Sequence, residues 1–95
     1  MTEAQFTAQM SMRQGRWRLY VALLNTTDSW PEYPFGTTMP TLTERAEALN
    51  VLGFEPVPGA VWEWTEDSET HDDPASAVVL IAAIRLHAVR ERVGR

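Results

Sequence analysis

The alternation of apolar and polar residues predicts two β-strands near the start of the chain. Residues 6–12 and 17–24 carry an apolar residue at every second position: Phe6, Ala8, Met10 and Met12, then Trp17, Leu19, Val21 and Leu23. An apolar period of two is typical of a strand that buries one face. Gly15 lies between the two segments and can adopt the positive φ of a tight turn. The pattern therefore predicts a β-hairpin.

After residue 40 the spacing of the apolar residues changes to that of a helix. Thr41 and Glu44 are spaced as a capping box, in which each side chain bonds the other residue's backbone amide. Four apolar residues then follow helical spacing: Leu42, Ala46, Leu49 and Leu52. Gly53 suits the left-handed conformation that ends a helix, and Phe54 can pack on Leu49. We predict a helix over residues 42–52.

Two further strands are predicted in the second half of the chain. Residues 60–66 alternate, so Trp62 and Trp64 share one face and are expected to point together into the core. Residues 77–89 begin with a continuous apolar run and later alternate, which favours a strand buried first on both faces and then on one. A C-terminal helix is the alternative, because this segment also contains good helix formers such as Leu86.

These elements predict an α+β fold with the order β-β-α-β-β. One helix would pack on one face of a four-stranded, mostly antiparallel sheet. The face under the helix would carry eight apolar side chains: Phe6, Met10, Leu19, Val21, Trp62, Trp64, Ile84 and Leu86. The 95 residues are expected to form a single domain, 1–95, with an ordered core over about 6–89 and a frayed tail at 90–95.

Composition narrows the classes of partner. The chain is 44% apolar, contains no cysteine and has a formal net charge of −5. This is a globular composition without disulfides or thiolate metal sites, and its negative charge disfavours a broad surface for nucleic acid or anionic lipid. No apolar run approaches the roughly 20 residues that span a bilayer, and signal-peptide features are absent. A cytoplasmic protein without membrane attachment is expected.

The segment 25–40 is the first candidate binding site. It contains three prolines and the aromatic residues Trp30, Tyr33 and Phe35, and proline excludes a helix interior or a central strand. Long irregular loops inside a compact domain are often functional. The alternative is that the three rings fold back to cover part of the sheet, because large apolar side chains are costly to leave in water.

An acidic segment after the two tryptophans is the second candidate. Six carboxylates lie within the eleven residues 63–73, and five of them form the predicted contact set: Glu66, Asp67, Glu69, Asp72 and Asp73. The spacing lacks the Asp-x-Asp-x-Asp-Gly pattern of a calcium loop, and a zinc site needs more histidine or cysteine than His71. His87 has no recognisable catalytic neighbours in the sequence. We therefore predict no catalytic residue, no cofactor and no metal.

Three segments carry a resemblance to a known group of proteins. They are GRWRLYV at 15–21, ER at 44–45 with LGFE at 52–55, and WEWTED at 62–67. In these segments, and over most of its length, the chain resembles a family of small uncharacterised actinobacterial proteins. The resemblance fits the composition, in which all eight basic residues are arginine, and implies no activity, cofactor or site residue.

We interpret the chain as a small acidic protein-binding or regulatory module without enzymatic activity. The carboxylates would steer a basic protein partner and the aromatic residues would supply affinity. One alternative is a mimic of nucleic acid, which would use the carboxylates to occupy a basic groove. Another is a ligand-binding protein or enzyme with a pocket under the 25–40 loop. An unprotected edge strand that pairs with a second copy would give a homodimer.

Overall fold

The computed structural model describes residues 5–23 and 27–89, which form six β-strands and one α-helix. In chain order the elements are β1 (Gln5–Arg13), β2 (Arg16–Ala22), β3 (Glu32–Pro34), α1 (Leu42–Leu52), β4 (Phe54–Pro56), β5 (Glu63–Ser68) and β6 (Val78–Ala88). The predicted frayed tail, residues 90–95, lies outside the described residues, as do residues 24–26.

All strands belong to one antiparallel sheet, which confirms the α+β class. The strand order is β3-β2-β1-β6-β4, and β5 pairs with β6 beside β4, on the edge that faces away from β1. The prediction of four strands was wrong, because β3 and β4 have only three residues each. Both contain a proline, Pro34 or Pro56, and proline is tolerated in edge strands such as these.

The predicted hairpin of β1 and β2 is confirmed. Arg13 pairs with Arg16, so only Gln14 and Gly15 form the turn. Their φ angles are 54° and 79°, and two successive positive values match the twist of the flanking strands. Met10, Leu19 and Val21 are fully buried in the core of this hairpin, as the alternation predicts.

The helix is also confirmed, with the predicted bounds and both ends as expected. Glu44 N donates to Thr41 Oγ1 at 3.1 Å, and Thr41 N donates to Glu44 Oε1 at 2.8 Å. Gly53 has a φ of 96° and its N–H closes the last turn. The predicted buried side was partly wrong, however, because Leu42 and Ala46 are exposed. The helix instead buries Arg45, Ala48 and Leu49.

The position of α1 explains this difference. The helix contacts both β3 and β4, which lie at opposite ends of the strand order. The sheet therefore curls around the helix, and the inner face nearest β4 and β3 is covered best. The ring centroids of Phe6 and Phe54 lie 5.1 Å apart at one end of this interior.

The last strand, β6, is confirmed over the helical alternative, but it is not buried as predicted. Ala82, Ile84 and Leu86 are buried, whereas Val78 and Leu80 are exposed although they lie on the same face of the strand. Strand β1 pairs with β6 only over residues 81–87, so the start of β6 has β5 alone beside it. The apolar run at the start of β6 therefore forms a projecting hairpin rather than a central strand.

Candidate binding groove

An open apolar groove lies between the helix and the segment that connects β4 to β5. Its volume is about 690 Å³, and ten of its eleven lining residues are apolar. Helix α1 and the segment that leads into it contribute Met39, Leu42, Arg45, Ala46 and Leu49, and the rest of the chain contributes Pro56, Ala60, Val61, Trp62, Trp64 and Ile84. We refer to this cavity as the groove.

The chain connection between β4 and β5 creates the groove. Both strands pair with one edge of β6, β4 with residues 86–88 and β5 with residues 78–83. The chain leaves that edge after Val57, whose N–H donates to the Arg85 carbonyl at 3.0 Å, and it returns at Glu63, with Gly59 at a φ of 84° in the turn between them. The segment 58–62 is not paired with β6, and the groove lies between it and α1.

Arg45 is the one charged residue in the lining. It is only 6% exposed, and its Nε donates a 3.1 Å hydrogen bond to the Pro40 carbonyl oxygen. Its guanidinium carbon lies 5.3 Å from the ring centroid of Trp62 and 6.0 Å from that of Trp64. Cations over indole faces at such distances are attracted by the ring electrons. Burial lowers the pKa of Arg45, because the apolar surroundings disfavour its charged form.

The two tryptophans share one side, as predicted, because both rings lie against Arg45. The prediction that both point into the core was wrong for Trp64, whose ring meets Trp17 edge-on at 6.2 Å and stays 41% exposed. Trp62 packs against the core, but it lies just before β5 rather than within the strand. The predicted strand 60–66 therefore begins and ends later than expected.

A strip of exposed apolar side chains continues from Trp64 onto the projecting hairpin. Trp64 pairs with Ala82, and two residues further along each strand Glu66 pairs with Leu80. Leu80 and Val78 have the same orientation as buried Ala82, yet Leu80 is 48% exposed. At the groove, Val61 is 67% exposed. The groove and this strip together form an apolar surface on the inner side of the sheet.

The structure divides the predicted aromatic site between two faces of the sheet. Trp30 stacks on Tyr20 of the outer face at 6.1 Å, donates through Nε1 to the Leu23 carbonyl and is 45% exposed. Tyr33 and Phe35 pack against the core, with their ring centroids 5.1 Å apart. These two rings therefore cover the sheet, as the alternative interpretation had it. A binding role for the three residues stays a prediction.

The five predicted carboxylates cluster at the tip of the β5–β6 hairpin. Glu66 and Asp67 belong to β5, Glu69, Asp72 and Asp73 belong to the turn, and all five are exposed. The turn is ordered by local bonds, since Asp73 Oδ1 accepts from Ala75 N at 2.9 Å and Ser76 Oγ donates to the Asp73 carbonyl at 2.7 Å. Three strands of the sheet, β2, β1 and β6, lie between this tip and β3. The structure therefore does not bring the acidic and aromatic candidates together.

Two observations concern the histidine and acidic side chains of the described residues. No three histidine or acidic side chains within it converge to hold a metal ion. His87 Nε2 lies 3.2 Å from Glu55 Oε1 of the neighbouring strand β4. Within residues 5–23 and 27–89, no helix has the length and apolar character needed to cross a membrane.

Arg45 and its groove were missed in the sequence, although a signal existed. Arg45 is the only basic residue between Arg18 and Arg85. It also lies three residues after Leu42 and four before Leu49, on the apolar stripe of the helix. A lone arginine within an apolar helix stripe indicates a cation that is buried or that binds something.

The chain is a small α+β protein in which a curled sheet partly encloses one helix. An open apolar groove lies beside that helix. A family model described as "Family of unknown function (DUF6303)" matches residues 4–94. The chain therefore belongs to this family, which confirms the predicted membership in an uncharacterised family; its actinobacterial origin stays a prediction. No curated protein matches the chain, and no solved structure matches it.

Proposed function

We propose that this protein is a non-enzymatic binding module that holds an apolar segment of a protein partner in the groove and on the adjoining strip. The observation that carries the proposal is the exposure of large apolar side chains around Trp64 on one side of the sheet. Monomeric proteins rarely leave such side chains exposed next to one another unless a partner covers them.

The character of the groove favours a protein partner over a smaller ligand. Interface centres are rich in tryptophan and arginine, and Trp62, Trp64 and Arg45 meet here. The apolar surface also extends past the groove to Leu80 and Val78, further than a small molecule inside the groove would cover.

The acidic tip and Trp30 are the outer parts of the proposed interface. Exposed carboxylates raise the rate at which a basic partner associates, and salt screens this effect. Because Glu66 pairs with Leu80, the charges begin where the apolar strip runs along the hairpin. A partner with an apolar segment followed by basic residues would match both features. Trp30 on the outer face would contribute only if that partner wraps the β3 edge of the sheet.

A small amphipathic ligand is the second candidate, and the size of the groove favours it. Sites for small molecules commonly measure about 300–1,000 Å³ and combine an apolar lining with a few polar groups. A volume of about 690 Å³ with a single arginine fits that description. Native mass spectrometry of the purified protein tests this candidate, because a retained ligand adds a fixed mass that unfolding removes.

Site-specific photo-crosslinking in the native host tests the proposed interface. Val61 at the groove and Val51 on the far side of α1 are matched positions, since both are exposed valines. Each is replaced in turn by p-benzoyl-phenylalanine. We expect a protein adduct from position 61 and none from position 51.

A blocking variant controls this experiment. Ala46→Trp fills the groove from an exposed helix position, and Val51→Trp places the same ring on exposed helix surface on the far side of α1. The adduct at position 61 should disappear with Ala46→Trp and persist with Val51→Trp. Equal adducts from positions 61 and 51, or none from 61, would contradict the proposal.

A further inference from the structure

The guanidinium of Arg45 has fewer partners than a buried arginine usually has. Among the described residues no carboxylate lies within ion-pair distance of it, and the bond from Nε to Pro40 is the only hydrogen bond it makes to them. An arginine offers five N–H donors in a planar fork, and a buried charge is normally paired. Arg45 thus retains unused donors, and its terminal nitrogens are not among the fully buried polar atoms of the described residues, so these donors open onto the groove.

The surroundings of Arg45 select an anion rather than another polar group. Ten apolar residues line the rest of the groove, so an incoming group meets no competing charge there. In such surroundings the attraction between unlike charges is stronger than in water. The planar fork of arginine matches the two oxygens of a carboxylate.

We infer that the protein segment bound in the groove carries a glutamate or aspartate whose carboxylate pairs with Arg45, between apolar residues that fill the remaining space. This inference rests on the proposed function and names the chemistry of the partner. A side-chain carboxylate fits better than the end of a chain, because the guanidinium is recessed against Trp62 and Trp64 and the anion has to reach it on a stem.

The inferred pair also explains how a protein of net charge −5 can accept an acidic segment. Five of the eleven exposed carboxylates of the described residues lie at the hairpin tip, and the groove lining itself contains no acid. Unlike the acidic tip, which would attract basic residues, the groove would select one acid at one position. The two surfaces together predict a partner segment with an acid among apolar residues and basic residues outside the groove.

Selection from a library of random peptides displayed on phage tests the inference. The full chain is immobilised, and washes at high salt reduce attraction of basic peptides to the acidic tip. We expect the enriched peptides to share bulky apolar residues around one Glu or Asp. Enrichment should be lost with Ala46→Trp and retained with Val51→Trp, which would show that the peptides occupy the groove.

The role of Arg45 is then measured on one enriched peptide and its counterpart with Gln or Asn in place of the acid. Because hydrogen bonds to charged groups are stronger than neutral ones, we expect the neutral peptide to bind the unaltered protein roughly tenfold to a hundredfold more weakly. Arg45→Met removes the group that pairs with the acid. Its affinities for the acidic and the neutral peptide should therefore agree within about twofold. Arg45→Lys should keep part of the preference, since lysine retains the charge without the fork.

The comparison of the two peptides on the unaltered protein does not depend on whether an Arg45 variant folds. Groove-dependent enrichment without a recurring acid, or equal binding of the acidic and neutral peptides, would overturn the inference and leave the proposed function standing. Enrichment that Ala46→Trp does not affect, or no enrichment at all, would contradict both.

Discussion

The β1–β2 and β5–β6 hairpins both place apolar side chains on the inner face of the sheet, but these side chains have different surroundings. Leu19 in β2 is fully buried, whereas Leu80 in β6 is 48% exposed, although each lies on the inner face of its strand. Tyr33 and Phe35 cover the first hairpin, and α1 packs beside them. No described element covers the end of the second hairpin beyond Ala82. Alternation thus decides which face a side chain occupies, and neighbouring elements decide whether that face is buried.

The largest effect on stability is expected when Leu19→Ala is compared with Leu80→Ala. Removal of the fully buried Leu19 side chain should lower the free energy of unfolding by about 2–5 kcal/mol, through lost burial and the cavity left behind. The same change at half-exposed Leu80 should lower it by about 1 kcal/mol or less. Denaturant unfolding monitored by tryptophan fluorescence measures both values. Equal losses would mean that the second hairpin is packed as tightly as the first.

A smaller effect is expected from the helix cap that fixes the position of α1. Thr41→Ala removes the hydroxyl that accepts from Glu44 N, and such losses lower the free energy of unfolding by about 1 kcal/mol. Thr43→Ala is the matched control at an exposed helix position. It should change stability by about 0.5 kcal/mol or less. A loss at Thr43 as large as that at Thr41 would show that the cap is not what stabilises the helix start.

The smallest effect on stability is expected at the acidic tip. Glu66→Gln together with Asp72→Asn should change the free energy of unfolding by about 0.5 kcal/mol or less, because both side chains are exposed. The same double variant should slow association with a basic partner at low salt and have little effect at high salt. Stopped-flow association rates measured over a salt series test this expectation. If the association rate changes with neither the salt concentration nor the substitutions, the carboxylates do not steer the partner.

The parts of the fold that follow local rules could be predicted from the sequence. The capping box and Gly53 set the ends of α1, and Gly15 marked the turn of the first hairpin. Strands β3 and β4 could not be predicted in the same way. Each has three residues and pairs with a strand far away in sequence, so no local period reveals it.

The groove was harder to predict for the same reason. It exists because β4 and β5 share one edge of β6, which is a property of strand order rather than of any segment. The exposure of Trp64 likewise depends on how far α1 extends over the sheet. The lone Arg45 within the helix stripe was the one available signal, and it could have identified a buried cation but not the cavity around it.

Fluorine NMR of the four tryptophans tests the central claim most directly. With 5-fluorotryptophan at all four positions, a soluble gadolinium chelate broadens the resonances of exposed rings. We predict strong broadening for Trp64 and Trp30, and little for Trp17, which is 8% exposed. A bound groove peptide should then protect Trp64 but not Trp30. If the Trp64 resonance is as protected as that of Trp17 in the free protein, the apolar surface is closed and the proposed binding site does not exist.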